Sequence, residues 1–513
     1  MTENTMGRFT IKEYKFKYLI FSIISGILLA LSFQKFNFYF LAWIAFIPLI
    51  YCIYKNNLKY SILYGFVTGI TYSLIAFNWM FLFLFINTKS MIAALIVAIL
   101  FWLYQSIYFM LWSIFFYVVK NYNKVVVAVF IASIWVIFEY IKNYFLSGFP
   151  INLLGYSQSC FTQIVQLADI FGVYGISFIV MLINSLLFYL LYNKNKKFLI
   201  AVILIFCTVL FYGFARIYQI SKMNAGEAIN VGVVQPNVSQ EKRSKQELRK
   251  EIINVIYKSA QYFEDKKCDI VSYPETMLPG ILEEREEIQA LVKDISRYSD
   301  LSLIGGKAVE KKRLFNSIFL VSREGNVIDK YKKKHLVLFG EYVPFNNFLV
   351  KLLKKVNLTD NFIKEHELKV FDFNKYTLGV NICSENYYPY LSRDLVLKGA
   401  TLLTTHSNDA WCDELSYPYQ HFVLNIFRAI ENRKYLIVSA NTGISGVISP
   451  TGKVIRQTKN QEQACFEEIV YPNNYITIYD KIGDLFVYLC IIYSTLMLFV
   501  CGLLRKKTKA KIL

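Results

Sequence analysis

The stretch YTLGVNICSE, residues 376–385, decides how the second half of the chain folds. It begins as an apolar, β-rich run and ends in polar residues. Similar runs lie at residues 228–237, 268–275, 301–306, 317–322, 400–409 and 435–443, and amphipathic helical patterns lie at residues 246–264 and 419–434. Alternating strands and helices are typical of an α/β domain with functional residues at its strand ends. We therefore predict such a domain over residues 227–475.

Most of the first 220 residues and one segment near the C-terminus are strongly apolar. The 513 residues are 55% hydrophobic, and the mean hydropathy is +0.37. A spanning helix needs about 20 mostly apolar residues, and we predict eight such helices. They lie roughly at residues 18–34, 37–54, 60–86, 91–119, 124–141, 173–193, 198–216 and 485–504. The expected domains are a seven-helix transmembrane domain at 1–220, the α/β domain at 227–475, the eighth transmembrane helix at 485–504 and a basic cytoplasmic tail at 505–513.

Lysine and arginine are unevenly distributed among the loops between these apolar runs. Loops rich in them alternate with loops that carry a single lysine, and both chain ends are rich. By the positive-inside rule, both termini are cytoplasmic and residues 227–475 lie on the outer, periplasmic face of a bacterial inner membrane. The net charge of +19 has the same origin. No arginine-rich patch interleaved with aromatic residues suggests a nucleic acid partner.

Two candidate reactive side chains follow predicted strands. Cys383 ends the apolar part of the opening stretch, where a cysteine is either a nucleophile or a buried structural residue. Glu385 comes two residues later and shares a face with Cys383 if the strand continues. Glu275 follows Pro274 at the end of residues 268–275. It is either a solvated strand end or a general base for the thiol.

The run KYKKKHLVLFGEYVPF, residues 330–345, begins with four lysines among five residues. For such a run a solvated face is the ordinary interpretation. If the β-like pattern of its flanks holds, Lys333 shares a face with Tyr331 and His335, while Lys332 and Lys334 lie on the other face. We therefore predict that Lys333 points inward.

A buried lysine needs carboxylates nearby, because burial alone disfavours its charged form. The candidate carboxylates are Glu275, Glu341 and Glu385. Glu341 follows Gly340, which permits a tight turn. A cation held there can stabilise both a thiolate and a tetrahedral oxyanion.

The order of these motifs resembles that of the nitrilase superfamily of carbon–nitrogen hydrolases. YPET, Y-x-K-x-H-L-V-x-F-G-E and C-x-E follow one another as its Glu–Lys–Cys set does. SNDAW (residues 407–411), PYQH…RAIENR (418–433), ANTGIS…SPTG (440–452) and GFPINLLGYSQ (148–158) extend the likeness. With the predicted membrane topology, nearly the whole chain resembles the apolipoprotein N-acyltransferase family.

This resemblance implies an extracytoplasmic nitrilase-like αββα sandwich and a ping-pong acyl transfer without metal or cofactor. Glu275 is then the general base, Lys333 the stabiliser of the oxyanion and the thiolate, and Cys383 the nucleophile. The implied supporting groups are Glu341, Glu385 and the backbone N–H of Ser384. The donor is a membrane phospholipid and the acceptor a diacylglyceryl apolipoprotein. The product completes lipoprotein maturation, and we expect the enzyme to be a monomer.

Some residues depart from the family pattern, and others have a less certain role. The departures are Ile151, Ser244, Leu338, Ser384 and Ser439, and they bear on the lipid pocket and the acyl donor rather than on the catalytic groups. Asn408, Trp411 and Tyr331 are possible substrate-lining residues. The four histidines show no metal-ligand spacing, and the nine cysteines show no disulfide framework. Glu139, near a helix end, is expected to be solvated at the membrane interface.

Two other functions fit parts of the sequence. A membrane-anchored nitrilase-type amidase would use water as its second nucleophile and act on a soluble amide, but it would not need the GFPINLLGYSQ segment. A catalytically inactive scaffold or a transporter is the other alternative. A transporter is expected to have polar or interrupted helices at the membrane midplane, and these are scarce here.

Overall fold

The computed structural model describes residues 3–145, 148–223, 226–244, 246–337, 341–342, 362–412 and 416–510. By its internal contacts the chain forms two compact units. The first comprises Met1–Phe81, Ile92–Ala215 and Asp484–Leu513, and the second comprises Leu82–Met91 and Arg216–Gly483.

Apolar helices form nearly all of the first unit. The helices from the N-terminus to residue 221 and after residue 484 are Glu3–Leu31, Ile47–Lys55, Leu58–Ala76, Trp79–Thr88, Met91–Val119, Lys124–Ile141, Thr162–Val165, Ala168–Asn193, Lys196–Ser221 and Leu485–Ala510, with 3-10 helices at Tyr39–Trp43 and Leu154–Gln158. Within Ala168–Asn193, Gly172 has a non-helical backbone conformation that marks a kink.

Five of these helices are long and apolar enough to cross a membrane. They are Met91–Val119, Lys124–Ile141, Ala168–Asn193, Lys196–Ser221 and Leu485–Leu504. A sixth span results if Leu58–Ala76 and Trp79–Ile86, which meet at an angle of 55°, are counted as one. Shorter apolar helices lie at Phe16–Leu31 and Tyr39–Lys55. Several long apolar helices are thus present, as expected, whereas eight as the number of spans stays a prediction.

Small residues allow two helices of this unit to pack closely. A Cβ atom at Gly65 would lie 2.7 Å from the carbonyl oxygen of Phe109, and one at Gly69 would lie 2.8 Å from the Cα atom of Ser106. Neither position has room for a side chain. Close backbone approach at small residues is typical of helix pairs in membranes, where lipid gives no hydrophobic drive for association.

Glu139 is buried, so the expectation of a solvated interfacial carboxylate is wrong. It is 1% exposed. Its Oε1 accepts hydrogen bonds from the backbone N–H of Leu154 at 2.6 Å and from Trp135 Nε1 at 2.8 Å. The carboxylate therefore holds part of the GFPINLLGYSQ segment to its own helix.

Two six-stranded sheets form the core of the second unit. The strands of the first sheet are β1 (Ile229–Gln235), β2 (Cys268–Ser272), β3 (Ser299–Glu310), β4 (Arg313–Ser322), β5 (Val327–Lys332) and β12 (Ala464–Val470), in the order β12-β1-β2-β3-β4-β5. Strands β1, β2 and β3 are parallel, and the other neighbouring pairs are antiparallel.

The second sheet repeats this arrangement. Its strands are β6 (Val370–Phe373), β7 (Tyr376–Ile382), β8 (Leu402–Ser407), β9 (Leu436–Ala440), β10 (Gly446–Ile448) and β11 (Val454–Gln457), in the order β11-β10-β9-β8-β7-β6. Strands β7, β8 and β9 are parallel. The seven strands predicted from the sequence are all present, and the five strands β5, β6, β10, β11 and β12 are additions to them.

Buried polar contacts join the two sheets, and helices pack on the other face of each. Ser439 Oγ donates to the carbonyl oxygen atoms of Val234 at 2.9 Å and Ser272 at 3.0 Å. The helices of this unit are Gln240–Ser244, Arg249–Gln261, Glu286–Ser296, Pro389–Leu397, Tyr417–Asn432 and Ile478–Ile482, with 3-10 helices at Gln246–Leu248, Leu282–Glu284 and Cys383–Tyr387. Arg249–Gln261 and Glu286–Ser296 pack on the first sheet, and Pro389–Leu397 and Tyr417–Asn432 on the second. This is the αββα sandwich that the resemblance implies.

Candidate active site

Cys383 lies at a sharp turn directly after β7. The strand ends at Ile382, Cys383 has φ = +50°, and Cys383–Tyr387 form a 3-10 helix. The expectation that Glu385 shares a strand face with Cys383 is therefore wrong, because the left-handed residue turns the chain. A cysteine seldom adopts this conformation, which costs of order 1–3 kcal/mol and is concentrated at functional sites. The side chain of Cys383 is partly exposed.

Lys333 follows the end of β5 and is 1% exposed, while Lys332 and Lys334 are partly exposed. The alternation in the lysine run thus predicts the buried residue correctly. Lys333 Nζ donates to Glu341 Oε1 at 2.9 Å and to Glu275 Oε1 at 3.2 Å. Two of the three candidate carboxylates therefore contact the buried cation.

Asn316 is a member of this cluster that sequence reasoning missed. Its Nδ2 donates to Glu275 Oε1 at 2.7 Å and to Glu341 Oε1 at 2.8 Å. Asn316 lies in β4, and its carbonyl oxygen accepts the backbone N–H of Lys333 at 2.8 Å. An amide within an otherwise apolar strand was the signal that could have revealed it.

The backbone around Glu275 is fixed against β3. Tyr273 N–H donates to the carbonyl oxygen of Leu303 at 2.9 Å, and Leu278 N–H donates to that of Gly305 at 3.1 Å. A Cβ atom at position 305 would lie 2.8 Å from the Cα atom of Glu275. Only glycine therefore allows the general-base candidate to lie so close to the neighbouring strand.

Glu385 is buried away from Lys333 Nζ, and backbone groups solvate its carboxylate. Oε1 accepts the N–H of Lys334 at 2.7 Å and of His335 at 3.2 Å, and Oε2 accepts the N–H of Ile382 at 2.7 Å. The hydroxyl of Tyr331 also donates to Oε1, at 3.0 Å. Glu385 thus joins the segment after β5 to the turn that carries Cys383, and Tyr331 contacts Glu385. Glu385 makes no ion pair with Lys333 among the contacts of the described residues, although the charge of Lys333 lowers the pKa of its carboxyl group.

Burial and charge shift the pKa values of the central groups in a consistent pattern. Burial lowers the pKa of Lys333, but the carboxylates of Glu275 and Glu341 outweigh it, so the pKa is raised and the lysine stays charged. Burial raises the pKa of Glu275, with Lys333 opposing it. Burial and the Glu275 carboxylate raise the pKa of the Cys383 thiol, against the effect of Lys333. The resting site therefore holds a thiol beside a carboxylate of unusually high basicity.

A second polar group adjoins the thiol. Cys383 Sγ, a carboxylate oxygen of Asp409 and a ring nitrogen of His421 all lie within 4.8 Å of one another. His421 Nδ1 lies 2.9 Å from Asp409 Oδ1, and Nε2 lies 3.1 Å from Asn386 Oδ1 and 3.4 Å from the carbonyl oxygen of Cys383. Burial lowers the pKa of His421, but Asp409 raises it further, and the net shift is upward.

His421 is thus a candidate site residue that its sequence position alone did not reveal. Both ring nitrogens face oxygen acceptors, which matches an imidazolium hydrogen-bonded on both sides. His421, Asp409 and Cys383 have the donor atoms of a metal site, yet both nitrogens of the ring are already used within the protein. The absence of a metal stays a prediction.

Comparisons with known proteins bear on both units. The family model "Apolipoprotein N-acyltransferase N-terminal domain" matches residues 25–186, and "Carbon-nitrogen hydrolase" matches residues 230–489. An "Apolipoprotein N-acyltransferase" of Aquifex aeolicus is 30% identical, over 86% of this chain and 95% of that protein. The chain belongs to the apolipoprotein N-acyltransferase family. A relative of that name from Geobacter metallireducens is 29% identical over 92% of this chain and 93% of that protein, and "Apolipoprotein N-acyltransferase 1" of Treponema denticola is 26% identical over 95% and 96%.

The other candidate residues of this apolipoprotein N-acyltransferase family member lie around the same site. Ser384 is buried in the first turn of the 3-10 helix, where backbone N–H groups have no partner within the helix. Asn408 is buried, and its Nδ2 donates to Thr276 Oγ1 at 3.3 Å. Trp411 is partly exposed. Substrate contact by Asn408, Trp411 and Tyr331 stays a prediction.

Of the positions that depart from the family pattern, Ile151 and Ser439 are buried. Leu338 and Gly340 lie outside the described residues, as do residues 343–361 and 413–415. All nine cysteines lie within the described residues.

Proposed function

We propose that this chain transfers an acyl group from a membrane phospholipid to the α-amino group of the diacylglyceryl-cysteine of an apolipoprotein, through a thioester on Cys383. The single observation that carries the proposal is the contact of Lys333 with both Glu275 and Glu341 beside a cysteine held at φ = +50°. Family membership and the apolar helices support two lipid-anchored substrates.

The first half-reaction forms the thioester. Glu275 takes the proton of the Cys383 thiol as the sulfur attacks the ester carbonyl carbon of the phospholipid. The raised pKa of Glu275 makes it a stronger base than an ordinary carboxylate. When the tetrahedral intermediate collapses, the bond to the glycerol oxygen breaks and Glu275 returns the proton to that oxygen. A lysophospholipid leaves, and the acyl group stays on the sulfur.

Lys333 and the backbone N–H of Ser384 stabilise the negative oxygen of each tetrahedral intermediate. A positioned cation in a site with little water stabilises developing charge more than water does, because it need not reorganise during the reaction. The contacts of Lys333 with two carboxylates keep it charged and fix its position. It therefore acts without taking part in proton transfer.

The second half-reaction uses the lipoprotein amine as the nucleophile. The neutral α-amino group attacks the thioester carbonyl, and Glu275 accepts a proton from the nitrogen. Collapse of the intermediate breaks the carbon–sulfur bond, and the proton passes from Glu275 to the sulfur. The products are an N-acylated lipoprotein and the original thiol, so no other reactant is needed.

The test is mass spectrometry of the full-length protein after incubation with phospholipid. We expect a hydroxylamine-sensitive acyl adduct on Cys383 only when phospholipid is present, and its loss on addition of a synthetic diacylglyceryl lipopeptide, with one acylated peptide formed per adduct. Cys383→Ala should form none. Cys383→Ser controls for the volume of the side chain and should give no hydroxylamine-sensitive thioester.

Two outcomes count against the proposal. An adduct that persists in Cys383→Ala would show that the acyl group is carried elsewhere. Hydrolysis of soluble amides without any phospholipid-derived adduct would favour the amidase alternative, in which water is the acceptor.

The membrane arrangement belongs to the same proposal. We propose eight spans, seven in residues 1–220 and one at 485–504, with residues 227–475 on the periplasmic face and both termini, including the tail at 505–513, in the cytoplasm. The alternation of basic loops supports it. A phosphatase reporter, active only outside the cytoplasm, should be active when fused within residues 227–475 and inactive when fused after residue 513. The opposite pattern would reverse the orientation.

A further inference from the structure

Arg243 is a partly exposed residue whose guanidinium the proposed mechanism does not use. It lies in the short helix Gln240–Ser244. Its Nη1 donates to the carbonyl oxygen of Thr276 at 2.7 Å and to Thr276 Oγ1 at 3.1 Å. One corner of the guanidinium is therefore fixed to the residue that directly follows Glu275.

The other edge of this guanidinium is formed by Nε and Nη2. Nε and Nη2 are both buried, and neither makes a hydrogen bond within the described part of the chain. These two atoms form the side-on edge of arginine, where two N–H groups point in parallel. A buried donor without a partner costs about 1–3 kcal/mol, more if it is charged. Such an edge matches the paired oxygen atoms of a carboxylate or phosphate.

The position of this edge relates it to the reacting groups. Arg243 and Asn408 both contact Thr276, and Asn408 adjoins Asp409, which pairs with His421 beside Cys383. Glu275 lies close enough to stabilise the charge of Arg243, yet no hydrogen bond joins the two. Burial lowers the pKa of Arg243 to about 10, so it remains a cation at neutral pH.

We propose that the Nε–Nη2 edge of Arg243 binds an oxyanion of the phosphodiester of the phospholipid acyl donor. This inference rests on the proposed function. The phosphodiester distinguishes the two substrates, because the donor carries one and the diacylglyceryl acceptor does not. Arg243 therefore places the donor ester beside Cys383 in the first half-reaction and has no corresponding ligand in the second.

The charges around the site agree with an anionic ligand at this edge. Lys333 is matched by Glu275 and Glu341, and His421 by Asp409. Among the described residues, the guanidinium of Arg243 donates to neutral oxygen atoms of Thr276. A phosphodiester would supply the missing negative charge and two acceptors at once.

The experiment compares two glycerol esters, one with and one without a phosphodiester headgroup. Full-length protein in detergent is mixed with dipalmitoyl phosphatidylglycerol or with dipalmitoyl glycerol, and the rate of acyl adduct formation on Cys383 is measured. For the unaltered chain we expect the phospholipid to react roughly 10- to 100-fold faster, as loss of a charge-assisted hydrogen bond implies. Arg243→Gln should remove this preference, and Arg243→Lys should restore it in part.

A neighbouring exposed cation provides the matched control. Lys242 is paired with Glu251, and Lys242→Gln should keep the donor preference. The second half-reaction, started from an adduct made with dipalmitoyl glycerol, should proceed equally fast in the unaltered chain and in Arg243→Gln. Unfolding midpoints of all variants verify that the protein is folded.

Several results would overturn the inference. Equal slowing with both donors in Arg243→Gln would show that Arg243 only fixes Thr276 and Glu275. An intact donor preference in Arg243→Gln would show that the phosphodiester of the donor binds elsewhere. If the unaltered chain forms no Cys383 adduct from either donor, the proposed function itself fails, which is a separate outcome.

Discussion

Two groups of carboxylates lie near the segment that carries Lys333, and different partners compensate their charges. Glu275 and Glu341 form the first group, and Glu385 forms the second. A side-chain cation and the Asn316 amide hold the first two. Backbone N–H groups and one tyrosine hydroxyl hold the third. A cation can be redirected to an oxyanion as charge develops, whereas backbone N–H groups hold the chain in place. Glu275 and Glu341 are therefore suited to a role in the reaction, and Glu385 is suited to holding the backbone in place.

The strongest test of this comparison replaces the cation. Lys333→Met removes the charge, keeps most of the volume and leaves two carboxylates unpaired. We expect a loss of adduct formation of at least about 10³-fold, because removing one oxyanion donor costs about 10²–10³ and the base is perturbed as well. Single-turnover acylation of Cys383 by phospholipid measures it.

Lys332→Met is the matched control for that variant. Lys332 pairs with Glu310, whose side chain is 38% exposed, and surface pairs of this kind contribute about 0–1 kcal/mol. Its acylation rate should stay within about twofold of the unaltered chain. Equal losses of acylation rate in Lys333→Met and Lys332→Met would contradict the role of Lys333 as the stabiliser of the oxyanion.

A smaller effect is expected from Asn316→Ala. The amide lowers the pKa of Glu275 by donating to its carboxylate, so its removal should raise that pKa further. The base must be deprotonated to act, and the acidic limb of the pH–rate profile should move to higher pH. We expect about a tenfold loss of rate at pH 6 and a smaller loss at pH 8.

Asn432→Ala serves as the control for a lost buried amide. Asn432 is fully buried, and its Nδ2 donates to the carbonyl oxygen of Arg428 within its own helix. This variant should leave the position of the limb unchanged. If the acidic limb of the pH–rate profile does not shift in Asn316→Ala, the Asn316 amide does not lower the pKa of Glu275.

We expect Glu385 to affect the pH dependence of stability rather than proton transfer in the reaction. Burial raises its pKa to about 7 despite the opposing backbone hydrogen bonds. A carboxyl whose folded pKa exceeds the ordinary 4.5 stabilises the fold fully below that ordinary value, and the contribution is lost as pH rises through 7. The unfolding midpoint of the full-length protein in detergent should therefore fall between pH 5 and pH 8, by a few degrees on account of this group.

In Glu385→Gln the fall should be smaller, because glutamine does not titrate. The difference between the two pH profiles isolates Glu385 from other groups, such as His421, whose raised pKa also favours the fold at low pH. Parallel profiles would show that Glu385 stays ionised throughout.

The sequence predicts the layers of the second unit and three central residues because these depend on local patterns. Apolar strands that end in polar residues locate Glu275 and Cys383, and period-two alternation selects Lys333 from four lysines. The backbone at Cys383 follows no such pattern, since position 383 itself holds neither the glycine nor the asparagine that would indicate a left-handed residue. For this reason the sequence does not predict that the strand ends at Ile382, and Glu385 does not share a strand face with Cys383.

Asn316 and His421 illustrate a second limit. Asn316 reaches the site from a strand distant in the chain from Glu275, and it stands in no short motif that carries chemistry. His421 belongs to the PYQH…RAIENR segment, but the sequence does not show that its ring lies beside Asp409 and Cys383. Their contacts depend on how β4 lies beside β5 and how helix Tyr417–Asn432 packs on the second sheet. These packing arrangements cannot be predicted from the local patterns of a single sequence.

Gly305 has a consequence for how substitutions in this protein should be interpreted. The residue bears no functional group, yet a single added carbon atom there would meet the Cα atom of Glu275 at 2.8 Å. A saturation screen for lost activity would therefore rank position 305 with the reactive side chains, although chemical modification would never detect it. Such a screen detects positions where added atoms would clash as well as positions that need a reactive group. In this protein the two kinds of position, Gly305 and Glu275, are adjacent.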